Sequence, residues 1–251
     1  MKASCSISLV AAAAVLLALN APVCASKTDS RIEASAKQSY VFKTYLKGDD
    51  IKIESKNGVV ALTGSVSENS HKSLAQDTVA DLPGVKSVEN KLEIKGADTA
   101  NSDAWLSDKL KIALLFHRNV SVGKAEVEVK DGVVTLRGIA ESQAQKELTT
   151  EYAKDIEGVK DVKNEMTVSG SADNTPRTPG EKMDDASITA QVKMALLLHR
   201  STSVLNTSVK TRKGVVTLSG KARNAAEKDL VGKLVGDING VKSVTNQMTS
   251  D

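Results

Sequence analysis

The stretch Gly58-Val59-Val60-Ala61-Leu62-Thr63-Gly64 returns as Gly132-Val133-Val134-Thr135-Leu136-Arg137-Gly138, and again as Gly214-Val215-Val216-Thr217-Leu218-Ser219-Gly220. Each copy is followed 26 residues later by Gly-Val-Lys-x-Val-x-Asn, starting at Gly84, Gly158 and Gly240. Two elements recurring at a fixed interval mark one supersecondary unit repeated along the chain. Any fold for this protein must therefore satisfy the same local pattern three times.

Within one unit, Val127 and Val129 alternate with charged neighbours, the period of a half-buried strand. Asp131-Gly132 supplies the positive φ of a tight primed hairpin turn, with Asn57-Gly58 and Lys213-Gly214 at the matching places. Val133 to Leu136 forms the return strand. A helix follows, opened by the capping pairs Ser142 with Gln145 and Asn224 with Glu227. Leu148, Tyr152 and Ile156 are spaced by four and read as its inner face, as do Leu230, Leu234 and Ile238. Gly158 and Gly240 suit a left-handed C-terminal cap, and a last strand runs through Val162, Met166 and Val168.

An earlier helix precedes the hairpin, with Asp103 and Asp185 near its start, where an acid suits the helix dipole. Its inner face is Leu106, Leu110, Ala113 and Leu114 in the second copy, and Ile188, Val192, Ala195 and Leu196 in the third. The first copy has the degenerate set Ile32, Ala36, Ser39 and Tyr40. The fold class is α+β: three tandem modules of helix-strand-strand-helix-strand, two helices on a three-stranded sheet. Their bounds are residues 28–96, 101–170 and 183–251. At roughly 68 residues, each is near the lower limit for folding without staples. The first linker, around Ala97 to Ser102, is short. The second, 171–182, carries Pro176 and Pro179-Gly180 and is expected to be extended and mobile.

The first 25 residues read as an export signal. Lys2 precedes an apolar run from Ile7 to Leu19, and Val23-Cys24-Ala25 places small residues at a cleavage site. The run is shorter than the ~20 residues that span a bilayer. Cleavage after Ala25 into a periplasmic compartment is expected. The rival, lipidation of Cys24, is a poor match because Pro22-Val23 precedes it. Both cysteines, Cys5 and Cys24, lie in the signal. Loss of Lys2 takes the formal net charge from +3 to +2. Mixed charges and 2% aromatics argue against nucleic acid, which needs a basic stripe and stacking rings.

The Gly-Val-Val-x-Leu-x-Gly element, the fixed interval and the Gly-Val-x-x-Val-x-Asn element together resemble the BON domain, over all three modules. The resemblance implies the helix-strand-strand-helix-strand fold. It also implies a role in osmotic or envelope stress, attachment to phospholipid membrane surfaces, or chaperone-like binding of unfolded exported clients. It implies no catalytic residues. The quoted glycines are turn and cap positions.

The residues themselves point the same way. His117-Arg118 and His199-Arg200 end the first helices of their modules, where cations suit a helix C-terminus. As equivalents in separate modules, the two histidines are expected to lie far apart. His71, on a polar helix face, is expected to be solvated. Three scattered histidines cannot supply a structural zinc site, and no nucleophile elbow or phosphate loop occurs. No enzyme, cofactor, metal or small-molecule substrate is expected.

One feature exceeds what a core needs. Trp105, Ile112 and Phe116 form a second stripe on the first helix of module two, roughly 100–140° from the Leu106–Leu110–Leu114 face. Lys109 lies beside it, in reach of anionic headgroups. Two readings compete: an intermodule contact, or an exposed surface for lipid or unfolded client. A scaffolding role in an envelope complex is the alternative function.

Overall fold

A computed structural model describes residues 27–95, 102–120, 125–169, 183–202 and 207–250. The signal segment with its cleavage site and the 171–182 linker lie outside the described residues. The first module contains α1 (Lys27–Gln38), α2 (Tyr40–Thr44), β1 (Asp50–Lys56), β2 (Val59–Val66), α3 (Asn69–Ala80) and β3 (Ser87–Ile94). The second contains α4 (Asp103–Phe116), β4 (Ala125–Lys130), β5 (Val133–Ala140), α5 (Gln143–Lys154), β6 (Asp161–Asn164) and β7 (Thr167–Val168). The third contains α6 (Asp185–Leu198), β8 (Thr207–Arg212), β9 (Val215–Ala222), α7 (Ala225–Gly236), β10 (Ser243–Asn246) and β11 (Thr249–Ser250). The fold is α+β, three small sheets each carrying helices.

Every hairpin pairs antiparallel, and every last strand returns parallel to the central one. The turns take two consecutive positive φ angles, 55° and 83° at Asn57-Gly58, 54° and 80° at Asp131-Gly132, 53° and 79° at Lys213-Gly214. That is the primed turn whose twist matches the flanking strands. The last strand is continuous in module one but interrupted before Thr167 and Thr249 in the others. The asparagine of the second repeated element ties this strand to the helix above it. Asn90, Asn164 and Asn246 donate through Nδ2 to the carbonyls of Lys72, Lys146 and Lys228 at 2.9, 2.8 and 2.8 Å.

Two helix expectations need correction. The first helix of module one is not continuous, because Ser39 ends α1 and caps α2. Its Oγ donates to the Ala36 carbonyl at 2.8 Å and accepts from the Phe42 amide at 3.4 Å. Alanine at the matching Ala113 and Ala195 offers no such alternative to the helix. The inner face of α5 is Gln145, Thr149 and Ala153, while Leu148 and Tyr152 are only half-buried. Tyr152 is turned instead toward module three, where its hydroxyl donates to Asp237 Oδ2 at 2.7 Å. In α7 the buried set is Glu227, Val231, Leu234 and Val235, with Leu230 half-buried.

The modules pack through their helices. Module one covers α6 with α3 and, through hydrogen bonds, with α2. The Tyr40 amide donates to Asp184 Oδ2 at 2.8 Å and the Val41 amide to Ser187 Oγ at 3.1 Å. Asp184 also caps its own helix by accepting from the Ser187 amide at 2.9 Å. One carboxylate thus serves two helix N-termini, each with donors that lack an intrahelical partner. As a result α6 is buried nearly all round, including the polar Ser187, Thr189 and Gln191.

Candidate functional site

The stripe on α4 is divided by the packing. Phe116 is 0% exposed and Ile112 4%. The Phe116 ring meets Tyr45 of module one edge to face, with centroids 5.4 Å apart. Phe116 is an intermodule contact, its carbonyl also accepting from the Asn239 amide of module three at 2.8 Å, and Ile112 is buried beside it, so an exposed binding role for both is corrected. Trp105, in the first turn of the helix, stays half-buried.

Lys109 is also corrected as a free cation. It is 6% exposed. Its ammonium sits 4.6 Å from the Trp105 ring centroid, donates to the Glu157 carbonyl at 3.1 Å and lies 3.8 Å from the Glu157 carboxylate. Burial lowers its pKa, and the Glu157 charge opposes that.

Trp105 and Lys109 form one wall of an open cleft of about 240 Å³ where all three modules meet. Its apolar surface comes from Ile94, Trp105, Met194, Leu197 and Leu198. Leu197 is 54% exposed, the most exposed large hydrophobic among the described residues, and Ile94 is exposed as well. The rim carries Glu68, Asp108 and Glu157. Asp108 is held by Lys111 at 3.3 Å, and Glu68 accepts from Ser70 Oγ at 2.7 Å. Burial raises the Glu68 carboxyl pKa, with the Asp108 charge adding to the rise while the Ser70 bond, His71 and Lys111 oppose it.

Glu68, Asp108, Ile94 and Leu197 were not singled out in the sequence, and Glu68 had a signal. It occupies the helix N-cap filled by Ser142 and Asn224 in the other modules. Those two accept the Gln145 and Glu227 amides, at 3.1 and 2.8 Å. Glu68 makes no side-chain cap bond.

The histidines behave differently from expectation. His117 and His199 are not remote cations but two halves of a reciprocal clasp between modules two and three. His117 bridges Ile238 and His199 bridges Ile156, antiparallel in both cases. The Arg118 amide donates to the Asp237 carbonyl at 3.0 Å and the Arg200 amide to the Asp155 carbonyl at 2.9 Å. Arg118 then donates through Nη2 to the carbonyls of Ile238 and Val241, and Arg200 to those of Ile156 and Val159. The His117 ring stacks on Tyr152 at 3.7 Å and 12°. Burial pushes its pKa down to about 4, and His199 lowers it further while Asp237 opposes. His199 is lowered too, again by burial first, with Asp155 opposing. His71 is likewise not simply solvated: its Nδ1 lies 2.6 Å from Asp49 Oδ2 and 3.0 Å from Ser67 Oγ. Among the described residues, no three His, Cys, Asp or Glu side chains group as a metal site.

Known proteins bear on the chain in three ways. The BON domain family profile matches residues 28–96, 102–170 and 184–250. Osmotically-inducible protein Y of Escherichia coli (strain K12) is 32% identical over 146 residues, 58% of this chain and 71% of that protein. An uncharacterized protein in the gshII 5' region of Anaplasma centrale is 32% identical over 118 residues, 47% of this chain and 76% of that one. Among solved structures, CdsD, a structural protein of the type III secretion system of Chlamydia trachomatis, aligns at 16% identity and a TM-score of 0.24, over 88% of this chain and 91% of that one. A second structure, of its C-terminal domain, aligns at 17% and 0.22, over 86% and 93%. Those scores are too low to bear on the arrangement. With a match over every repeat, the chain belongs to the BON domain family.

Proposed function

We propose that this protein is a non-catalytic periplasmic protein of osmotic or envelope stress that holds apolar segments of unfolded exported proteins. The open apolar cleft at the three-module junction is the observation that carries the reading. Exposed leucine and isoleucine beside a half-buried tryptophan cost hydration unless a partner covers them. The family, and the likeness to a protein named as osmotically inducible, support the stress role. The signal-like N-terminus supports export. A phospholipid surface is the weaker partner, because the ammonium nearest the cleft is engaged by Glu157 and the rim bears carboxylates.

The test is suppression of light scattering from reduced α-lactalbumin, run beside flotation on phosphatidylglycerol vesicles. Suppression at near-stoichiometric ratio without flotation supports client holding. Flotation without suppression transfers the function to lipid, and neither result leaves the scaffolding role. Intact mass of the protein from the envelope fraction is expected to place the N-terminus at Ser26.

A further inference from the structure

The internal repeat shows what the cleft lacks. Trp105, Asp108 and Lys109 on α4 correspond to Ser187, Ala190 and Gln191 on α6. Those three α6 residues are buried. Module one lies on this face of α6: the amide of Val41, in α2, donates to Ser187, and the Tyr45 hydroxyl, just after α2, reaches Gln191 Oε1 at 3.4 Å. Among the described residues, no short helix lies on the corresponding α4 face as α2 does on α6, and that face lines the cleft. A face closed by a short apolar helix in one repeat is therefore open in its counterpart.

Charge selects the occupant. Glu68, Asp108 and Glu157 line the cleft against the single cation Lys109, whose ammonium is already bound. Lys111 neutralises Asp108 from outside. Among the described residues, the Glu68 carboxylate has only the Ser70 hydroxyl as its hydrogen-bond partner, and it is partly desolvated. A half-buried carboxylate with no ion-pair partner gains most from a cationic group brought to it. We infer that the cleft docks a short helical segment whose apolar side chains lie on Trp105 and Leu197 and whose lysine or arginine meets Glu68. This rests on the client-holding reading and narrows it to basic apolar segments.

The full chain is titrated with a synthetic leucine–lysine amphipathic peptide, the same peptide with glutamate for lysine, and phosphatidylglycerol vesicles. The reporter is Trp105, the only tryptophan. The leucine–lysine peptide is expected to shift its emission saturably, and more weakly as salt is raised. Leu197→Ser, at an exposed position, should weaken that binding about tenfold. Glu68→Gln should weaken it severalfold and flatten the salt dependence. Equal binding of the glutamate peptide, or unchanged binding by Leu197→Ser, overturns the inference, as does a Trp105 response to vesicles alone. If α-lactalbumin is still protected while Leu197→Ser changes neither protection nor emission, only the cleft is dismissed. If no form of the chain protects the client, the wider reading falls with it.

Discussion

Three aspartates do the same work in the three modules. Asp29, Asp103 and Asp185 each stand 29 residues before the hairpin glycine. Each carboxylate accepts both amides of the turn, those of Asn57 and Gly58, Asp131 and Gly132, and Lys213 and Gly214, at 2.6–3.0 Å. The primed turn aims these amides away from the ladder, and the first helix supplies the acceptor. Asp103→Ala should lower stability by about 1–3 kcal/mol, since hydrogen bonds to a charged acceptor are the stronger kind. Hydrogen exchange of the Asp131 and Gly132 amides should quicken with it, and unchanged exchange would refute the latch. Gly132, in the hairpin turn of module two, and Gly64, inside β2 of module one, differ in their tolerance. A Cβ on Gly132 meets the flexible Lys160 side chain at 3.1 Å, whereas one on Gly64 overlaps the Asp50 backbone carbonyl. Both have positive φ, 80° and 111°. Gly64→Ala should therefore lower the unfolding temperature more than Gly132→Ala.

At the scale of elements, the hairpins, their turns and the first-helix cores of modules two and three could be read from periodicity and turn chemistry alone. What could not be read was which of two apolar faces a helix turns inward. Tyr152 sits in register with Leu148, yet it serves the neighbour module, and a single module's pattern carries no mark of that. The capping pairs were legible, with one shift. Gln145 and Glu227 return their bonds to the amides of Glu141 and Arg223, one residue before the cap itself. The reciprocal clasp was hidden for the same reason as Tyr152, and it has a pH signature. His117 stays neutral when folded, with a pKa near 4 against an ordinary 6.5. Asp237 and His199 act on it from module three, Tyr152 stacks on it from α5 and Arg118 follows it in the chain, while Asp155 and Arg200 act on His199. A depressed histidine pKa means that the unfolded chain binds the proton first. Its contribution to stability is thus complete above pH 6.5 and lost as pH falls toward 4, by roughly 3 kcal/mol for His117. His117→Phe keeps an aromatic ring on Tyr152 and should remove that part of the slope in urea titrations at pH 7 and pH 4.5. A variant with the wild-type slope would place the titrating group elsewhere.

At the scale of the whole molecule, three repeats that look interchangeable in sequence take unequal places. Module three is the centre, because α6 receives module one on one side and α4 and α7 on others. The polar residues buried along it, Ser187 and Gln191, mark an interface that hydropathy alone would score as solvent-facing. Periodicity picked out the stripe but not how packing divides it: Trp105 lines the cleft, Phe116 packs on module one and Ile112 is buried. Phe116→Ala should accordingly cost about 3–5 kcal/mol, the range for emptying a buried aromatic site. The arrangement also predicts where the assembly comes apart. Arg118 and Arg200 each reach two carbonyls of the opposite module through part-buried bonds, and removing the donor leaves those acceptors without their partner. Neither arginine belongs to a module's own core, so Arg118→Ala with Arg200→Ala should leave the secondary structure by circular dichroism intact. Small-angle scattering should then show a larger radius of gyration, and the cleft, which needs residues from all three modules, should lose its hold on the leucine–lysine peptide. An unchanged scattering profile in the double variant would mean that α4–α6 packing alone fixes the pair, and that the clasp only decorates it.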